Sequence, residues 1–197
     1  TVINSGTGTI NIGAGGIGLT TKGGTGTNDG DIIGNGNNTR GMYTEKGTIT
    51  NTGNIFITGN DVIGMAGNGA GSNVINTGNI VANKNDSVGI FLDRANAVNN
   101  GVITMNGDNS IGIYLQENSS LTNTGIININ GKDSTGIYMY DQHSVIVNSG
   151  TINLNGDNSI GIITPENVGY TAGSIVTSGT GTSATGVSSI KYYDKPT

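Results

Sequence analysis

Five carboxylates recur at one place in this chain: Glu45, Asp93, Glu117, Asp141 and Glu166, with Lys46, Arg94 and His143 beside them. Paired carboxylates are the equipment of glycosidases, and a polysaccharide lyase adds a base. Carboxylates stacked close together repel, and share a cation or accept a partner's basic group. A second set, Asn38, Asp61, Asp86, Asn109, Asp133 and Asn158, stands three residues before a recurring glycine. Calcium is the sharper reading of such a set. Calcium-binding β-roll repeats, however, are nine residues long and denser in Asp, and Asx residues favour turns through side chain to backbone bonds. His143 is the only histidine, and the chain carries no Ser-His-Asp constellation, Walker loop or HExxH motif; its Gly-x-Gly pairs read as turns. The carboxylates therefore read as a solvated corner. The expectation is no enzyme, no catalytic residue, no cofactor and no metal.

Two further sets bear on recognition and packing. Tyr43, Phe91, Tyr114 and Tyr138 occupy the second position after the recurring glycine, which predicts an outward aromatic column in which Phe91, Tyr114 and Tyr138 stand about 4.8 Å apart. Such rings stack on one another or form a stripe for a partner. With Asp93, Glu117 and Asp141 they make up the expected partner-binding face. Asn51, Asn76, Asn99, Asn123 and Asn148 each precede a turn and follow an inward aliphatic by two. They are expected to point inward and to bond to each other as a ladder, because buried amides must be satisfied.

These sets are positioned by a repeat. Asn-x-Gly recurs at Asn4, Asn28, Asn51, Asn76, Asn99, Asn123 and Asn148, about every 24 residues, with a worn copy at Thr171-Ala172-Gly173. Gly-aliphatic pairs follow at Gly18, Gly41, Gly64, Gly89, Gly112, Gly136, Gly161 and Gly186. Within one repeat, Val145–Asn148, Thr151–Asn155 and Ile160–Thr164 read as three short strands separated by turn clusters. No stretch has helical period, and the density of Gly, Asn, Thr and Ile opposes helix. The predicted fold is all-β: a right-handed parallel β-helix with three short strands per rung of about 24 residues and about 7–8 rungs. The inward registers expected are Ile55/Ile57, Ile80/Ala82, Ile103/Met105, Ile127/Ile129 and Ile152/Leu154 after the first glycine. Around the second they are Val88/Ile90/Leu92, Ile111/Ile113/Leu115 and Thr135/Ile137/Met139. Residues 1–197 read as one β-helix segment of a longer polypeptide. Its ends, 1–47 and 170–197, are less regular: Gly23–Thr27 replaces an apolar strand, and Arg40 sits where an aliphatic is expected.

Composition agrees with a thin-cored rod. The chain has 36 glycines, two prolines and 11% charged residues, with a net charge of −5. That charge argues against nucleic acid and anionic membrane surfaces as partners. There is no cysteine, so no disulfide or thiolate metal site, which suits a protein that crosses a periplasm unfolded. No long apolar run inserts in a membrane.

The runs Asn123-Thr124-Gly125-Ile126-Ile127-Asn128-Ile129-Asn130-Gly131 and Gly156-Asp157-Asn158-Ser159-Ile160-Gly161-Ile162 resemble the repeats of large autotransporter adhesins of Gram-negative bacteria, most closely the fusobacterial type. The resemblance covers residues 1 to about 190 and concerns scaffold, not ligand. It implies a surface-exposed passenger exported by type V secretion and anchored in the outer membrane by a C-terminal barrel of the parent chain. It also implies adhesion or coaggregation through a host or bacterial surface protein or glycan, a virulence-associated role. The alternatives are a polysaccharide-active β-helix enzyme and a passive spacer holding a distal adhesive tip.

Overall fold

The computed structural model describes residues 1–187; residues 188–197, the last part of the expected irregular end, lie outside them. The described chain is all-β and coils as a parallel β-solenoid of about eight turns. Face one carries the strands Thr9–Ile12, Asp31–Gly34, Asn54–Ile57, Asn79–Ala82, Val102–Met105, Ile126–Ile129, Thr151–Leu154 and Ser174–Thr177. Each pairs in parallel with its counterpart one rung away. Face two runs from Ile17–Lys22 through Arg40–Glu45, Ile111–Gln116, Thr135–Met139 and Ile160–Thr164 to Ser183–Val187. Face three includes Val2–Asn4, Thr25–Asn28, Thr48–Asn51, Ser120–Asn123 and Val145–Asn148. In the two middle rungs, Ile63–Asn76 and Val88–Asn99 run continuously from face two into face three, which joins those faces into one sheet.

The Asn-x-Gly corner explains why the rungs repeat. The carbonyl of Asn28 accepts two N–H groups from the next rung, Thr52 at 2.8 Å and Gly53 at 3.0 Å. Asn51, Asn76, Asn99 and Asn123 hold the corners of their following rungs in the same way. The glycine must approach the rung below to do this. A Cβ on Gly53, Gly78, Gly101, Gly125 or Gly150 would overlap the carbonyl oxygen of the corner glycine one rung earlier.

The side chains of these asparagines are buried and form the predicted ladder. Each Nδ2 donates to the Oδ1 one rung on: Asn51 to Asn76 at 2.9 Å, Asn76 to Asn99 at 2.8 Å, Asn99 to Asn123 at 2.6 Å and Asn123 to Asn148 at 2.7 Å. Asn4 and Asn28 extend it to the first rung. Among the described residues, no buried side-chain nitrogen or oxygen lacks a partner.

The face-one inward registers stack like on like: Ile55, Ile80, Ile103, Ile127 and Ile152 are all fully buried. Each contributes about 1.5–3 kcal/mol by burial. On face two the expected triplets need correction. Ile90/Leu92, Ile113/Leu115 and Ile137/Met139 belong to the central cluster, whereas Val88, Ile111 and Thr135 lie outside it, Ile111 and Thr135 being buried all the same. The chain bends at the glycine between, so the glycine itself faces inward. A Cβ on Gly112 would stand 2.5 Å from the Gly136 oxygen and 2.7 Å from Ile127 Cγ2 on the opposite face. The column Arg40, Ile63, Val88, Ile111, Thr135, Ile160 therefore points away from the central cluster, with Ile63, Ile111 and Thr135 still covered by their neighbours. That is why Arg40 fits there.

The strands continue through residues 1–47, where the filling of the core changes rather than the path of the chain. Gly26 takes the inward position held by Ile49 in the next rung, and Leu19 fills its space. Thr21 donates to Thr44 at 2.9 Å inside the coil. After residue 170 the strands are mostly exposed, and face three is reduced to a single bridge between Val147 and Thr171.

Replacing Asn123 with Leu strands the Nδ2 of Asn99 and the Oδ1 of Asn148. We expect a loss of about 1–3 kcal/mol in stability, measured by denaturant unfolding; a variant that unfolds with the parent would show that the ladder is not a stabilising element.

Candidate functional site

Three surface features came from the sequence: the carboxylate corner, the turn Asx column and the aromatic column. All are positioned by face two and the corners that flank it.

The carboxylates do not converge. Asp93 pairs in register with Gln116, not with Glu117. It is buried, accepts from Arg94 Nε at 3.0 Å and from Gln116 Nε2 at 3.1 Å, and so is satisfied structurally. Glu45 meets Lys22 at 3.2 Å, an exposed pair of small energetic weight. Glu117 and Glu166 are exposed. Asp141 caps its own turn, accepting from the N–H groups of His143 at 2.8 Å and Ser144 at 3.0 Å and from the Ser144 hydroxyl at 2.7 Å. Burial pushes its carboxyl up. The Ser144 hydroxyl and the backbone N–H groups of His143, Asn118 and Ser144 outweigh that and hold it below the usual carboxylate range. The expected acidic corner is thus several local structures rather than one charged row.

The aromatic column is as expected in register and differs in what it exposes. Phe91, Tyr114 and Tyr138 pair directly across rungs. Successive ring centroids are 5.4 Å apart and the planes are within 4° of parallel. Parallel rings this close are too wide to lie side by side, so they overlap face to face. Ring faces meet ring faces, and Tyr114 keeps only 5% of its surface exposed. Of the two arrangements expected, the rings adopt mutual stacking, which uses the faces between successive rungs. Tyr43 stands apart, separated from Phe91 by Ala66. The Arg40 guanidinium lies 5.8 Å from its ring centre, and Asn68 donates to its hydroxyl at 3.3 Å.

The turn Asx column adopts left-handed backbone throughout: φ is 57° at Asn38, 54° at Asp61, 59° at Asp86, 53° at Asn109, 52° at Asp133 and 56° at Asn158. Asn and Asp tolerate this conformation best after glycine. A serine column follows it, unnoticed in the sequence. Ser87, Ser110, Ser134 and Ser159 are buried, and the N–H groups of the first three donate to the Oγ of the serine one rung on at 3.3, 3.0 and 3.2 Å. A second, exposed asparagine ladder joins Asn83, Asn106, Asn130 and Asn155 at 2.7–2.8 Å. Both columns were detectable from their recurrence at the rung period beside the turn clusters.

Between the Asx column and the aromatic column runs a shallow open groove of about 240 Å³. Its floor includes Ile111, Tyr138, Ile160 and Ile163, and its rim Asn109, Asp133 and Asn158. The groove exists because Ile111 and Ile160 point away from the central cluster. No group of three or more His, Cys, Asp or Glu among the described residues has the geometry to hold a metal ion.

In comparisons with known proteins, the chain matches no protein-family model, no curated protein and no solved structure.

Two measurements check these placements. Tyr114→Ser removes two stacked pairs worth roughly 0.5–1.5 kcal/mol each, so we expect it to cost about 1–3 kcal/mol in denaturant unfolding; unchanged stability would mean that the stack carries no weight. The depressed Asp141 pKa contributes stability that is present above the unfolded value and lost as pH falls through the folded one. Below about pH 4 the wild-type protein should therefore lose thermal stability more steeply than Asp141→Asn. Parallel acid profiles for the two proteins would remove Asp141 from the acid response.

Proposed function

We propose that this chain is a rod segment of a surface-displayed bacterial autotransporter passenger, acting in cell adhesion or coaggregation. The observation that carries the reading is the ladder of buried asparagines from Asn4 to Asn148, on which every corner repeats while the outward columns vary from rung to rung. Such a coil sets reach by rung number, about 4.8 Å for each, and carries outward residues at fixed heights. The repeat resemblance supplies the biological setting: type V secretion, a C-terminal barrel in the parent chain, a cell-surface location, and a host or bacterial surface protein or glycan as partner. The polysaccharide-active reading draws no support from the carboxylates, since Asp93 and Asp141 are each engaged locally. The spacer reading draws support from the stacked rings, which brace one rung against the next.

Two arms of one experiment test the proposal. Bacteria displaying the parent protein are challenged with the purified chain as a competitor. In parallel, residues 52–148 are excised, which joins Asn51 to Ser149 in ladder register. We expect the purified chain to inhibit adhesion and the excision to weaken it. Loss of adhesion on excision without competition favours the spacer. A silent competitor together with normal adhesion of the excised protein would overturn the proposal.

A further inference from the structure

We infer that the groove on face two is a saccharide site for a single sugar ring, an assignment that rests on the adhesive reading above and gives it a ligand class. The floor presents Ile160, Ile163 and Tyr138, with the covered Ile111 behind them, and is apolar except for Thr135, which stands between Ile111 and Ile160 in register. It suits the C–H face of a pyranose. Drug-sized ligands occupy pockets of about 300–1,000 Å³; this groove, at about 240 Å³, suits one ring.

The rim supplies the second half of the argument. Most polar columns of this protein spend their hydrogen bonds on the neighbouring rung. The inner asparagines do so, as do Asn83, Asn106, Asn130 and Asn155, and the oxygens of Asn85, Asp108 and Asp157 accept N–H groups from the next rung. Asn109, Asp133 and Asn158 differ. Their backbone N–H groups bond to the adjacent rung, but their side chains make no hydrogen bond to another described residue. They stand in line one rung apart, exposed, beside the apolar floor. Two carboxamides and one carboxylate offer both donors and acceptors, the set that matches vicinal hydroxyls. A phosphorylated or sulfated sugar fits poorly, because Asp133 sits in the middle of the rim.

The test is saturation-transfer NMR on the purified chain with the methyl glycosides of glucose, galactose, mannose and N-acetylglucosamine as probes. We expect transfer to the ring C–H protons of at least one probe. Asp133→Gly and Asn158→Gly delete the rim groups while suiting the left-handed backbone, so the turns are retained. Each should weaken binding about fivefold for a hydrogen bond lost, whereas Asp86→Gly, in the equivalent turn outside the groove, should not. No transfer to any probe, or equal transfer in the rim variants, overturns the assignment. If the purified chain still blocks bacterial adhesion while every probe is silent, the saccharide assignment fails and the adhesive reading stands.

Discussion

The structure depends on one carbonyl oxygen that accepts two N–H groups from the rung above. When the carbonyl of Asn99 takes both Thr124 and Gly125, the height and direction of the next corner are set together. The arrangement works only if the upper residue has no Cβ, because that position is occupied by the glycine carbonyl below. It also directs the asparagine side chain into the interior, where its amide meets the amides of its neighbours. The motif, the period and the buried polar column thus follow from a single close approach. A substitution at any corner is felt by two interfaces, since each corner is both donor and acceptor.

Much of this was legible in the sequence because identical residues recur at fixed spacing. Asn, Gly and the face-one aliphatics each declared a column, and a column in a parallel coil is a contact. The misplaced residues fail for one reason: alternation was carried across a bend. Gly112 and Ile113 both face inward, so Ile111 falls on the opposite side from where period two places it. Arg40 in the same column was the available signal, since a guanidinium does not belong in a dry core. The acidic corner failed differently. Its members share a loop but not a register, and a one-residue offset puts Asp93 against Gln116. The serine column was missed because a buried hydroxyl that caps backbone N–H groups has no hydrophobic signature, only its period.

The outer surface has two kinds of column. Some turn their bonding capacity toward the next rung and stiffen the coil, as the exposed asparagine ladder and the stacked rings of Phe91, Tyr114 and Tyr138 do. An aromatic column is usually read as a binding stripe, yet rings with a spacing near that of the strands bind each other first. Recognition on such a coil is better sought where a column is interrupted. The ring series gives way to Ile163, and the outward aliphatics beside it leave a groove.

Why the interior keeps an amide ladder, when leucines would bury more apolar surface, is answered by register. A coil of stacked aliphatics alone tolerates sliding, because each hydrophobic layer packs nearly as well against the wrong neighbour. An amide displaced from its column loses a donor and an acceptor in a dry environment, at about 1–3 kcal/mol for each group left unpaired. Each rung from Asn4 to Asn148 carries that penalty, so the correct alignment is enforced locally and repeatedly. A polar column in the core therefore contributes less by its net bonds than by what it forbids. The rungs near residues 1–47 show the consequence: Gly26, Gly34 and buried threonines replace aliphatics there, yet the strands remain in step because Asn4, Asn28 and Asn51 remain in line.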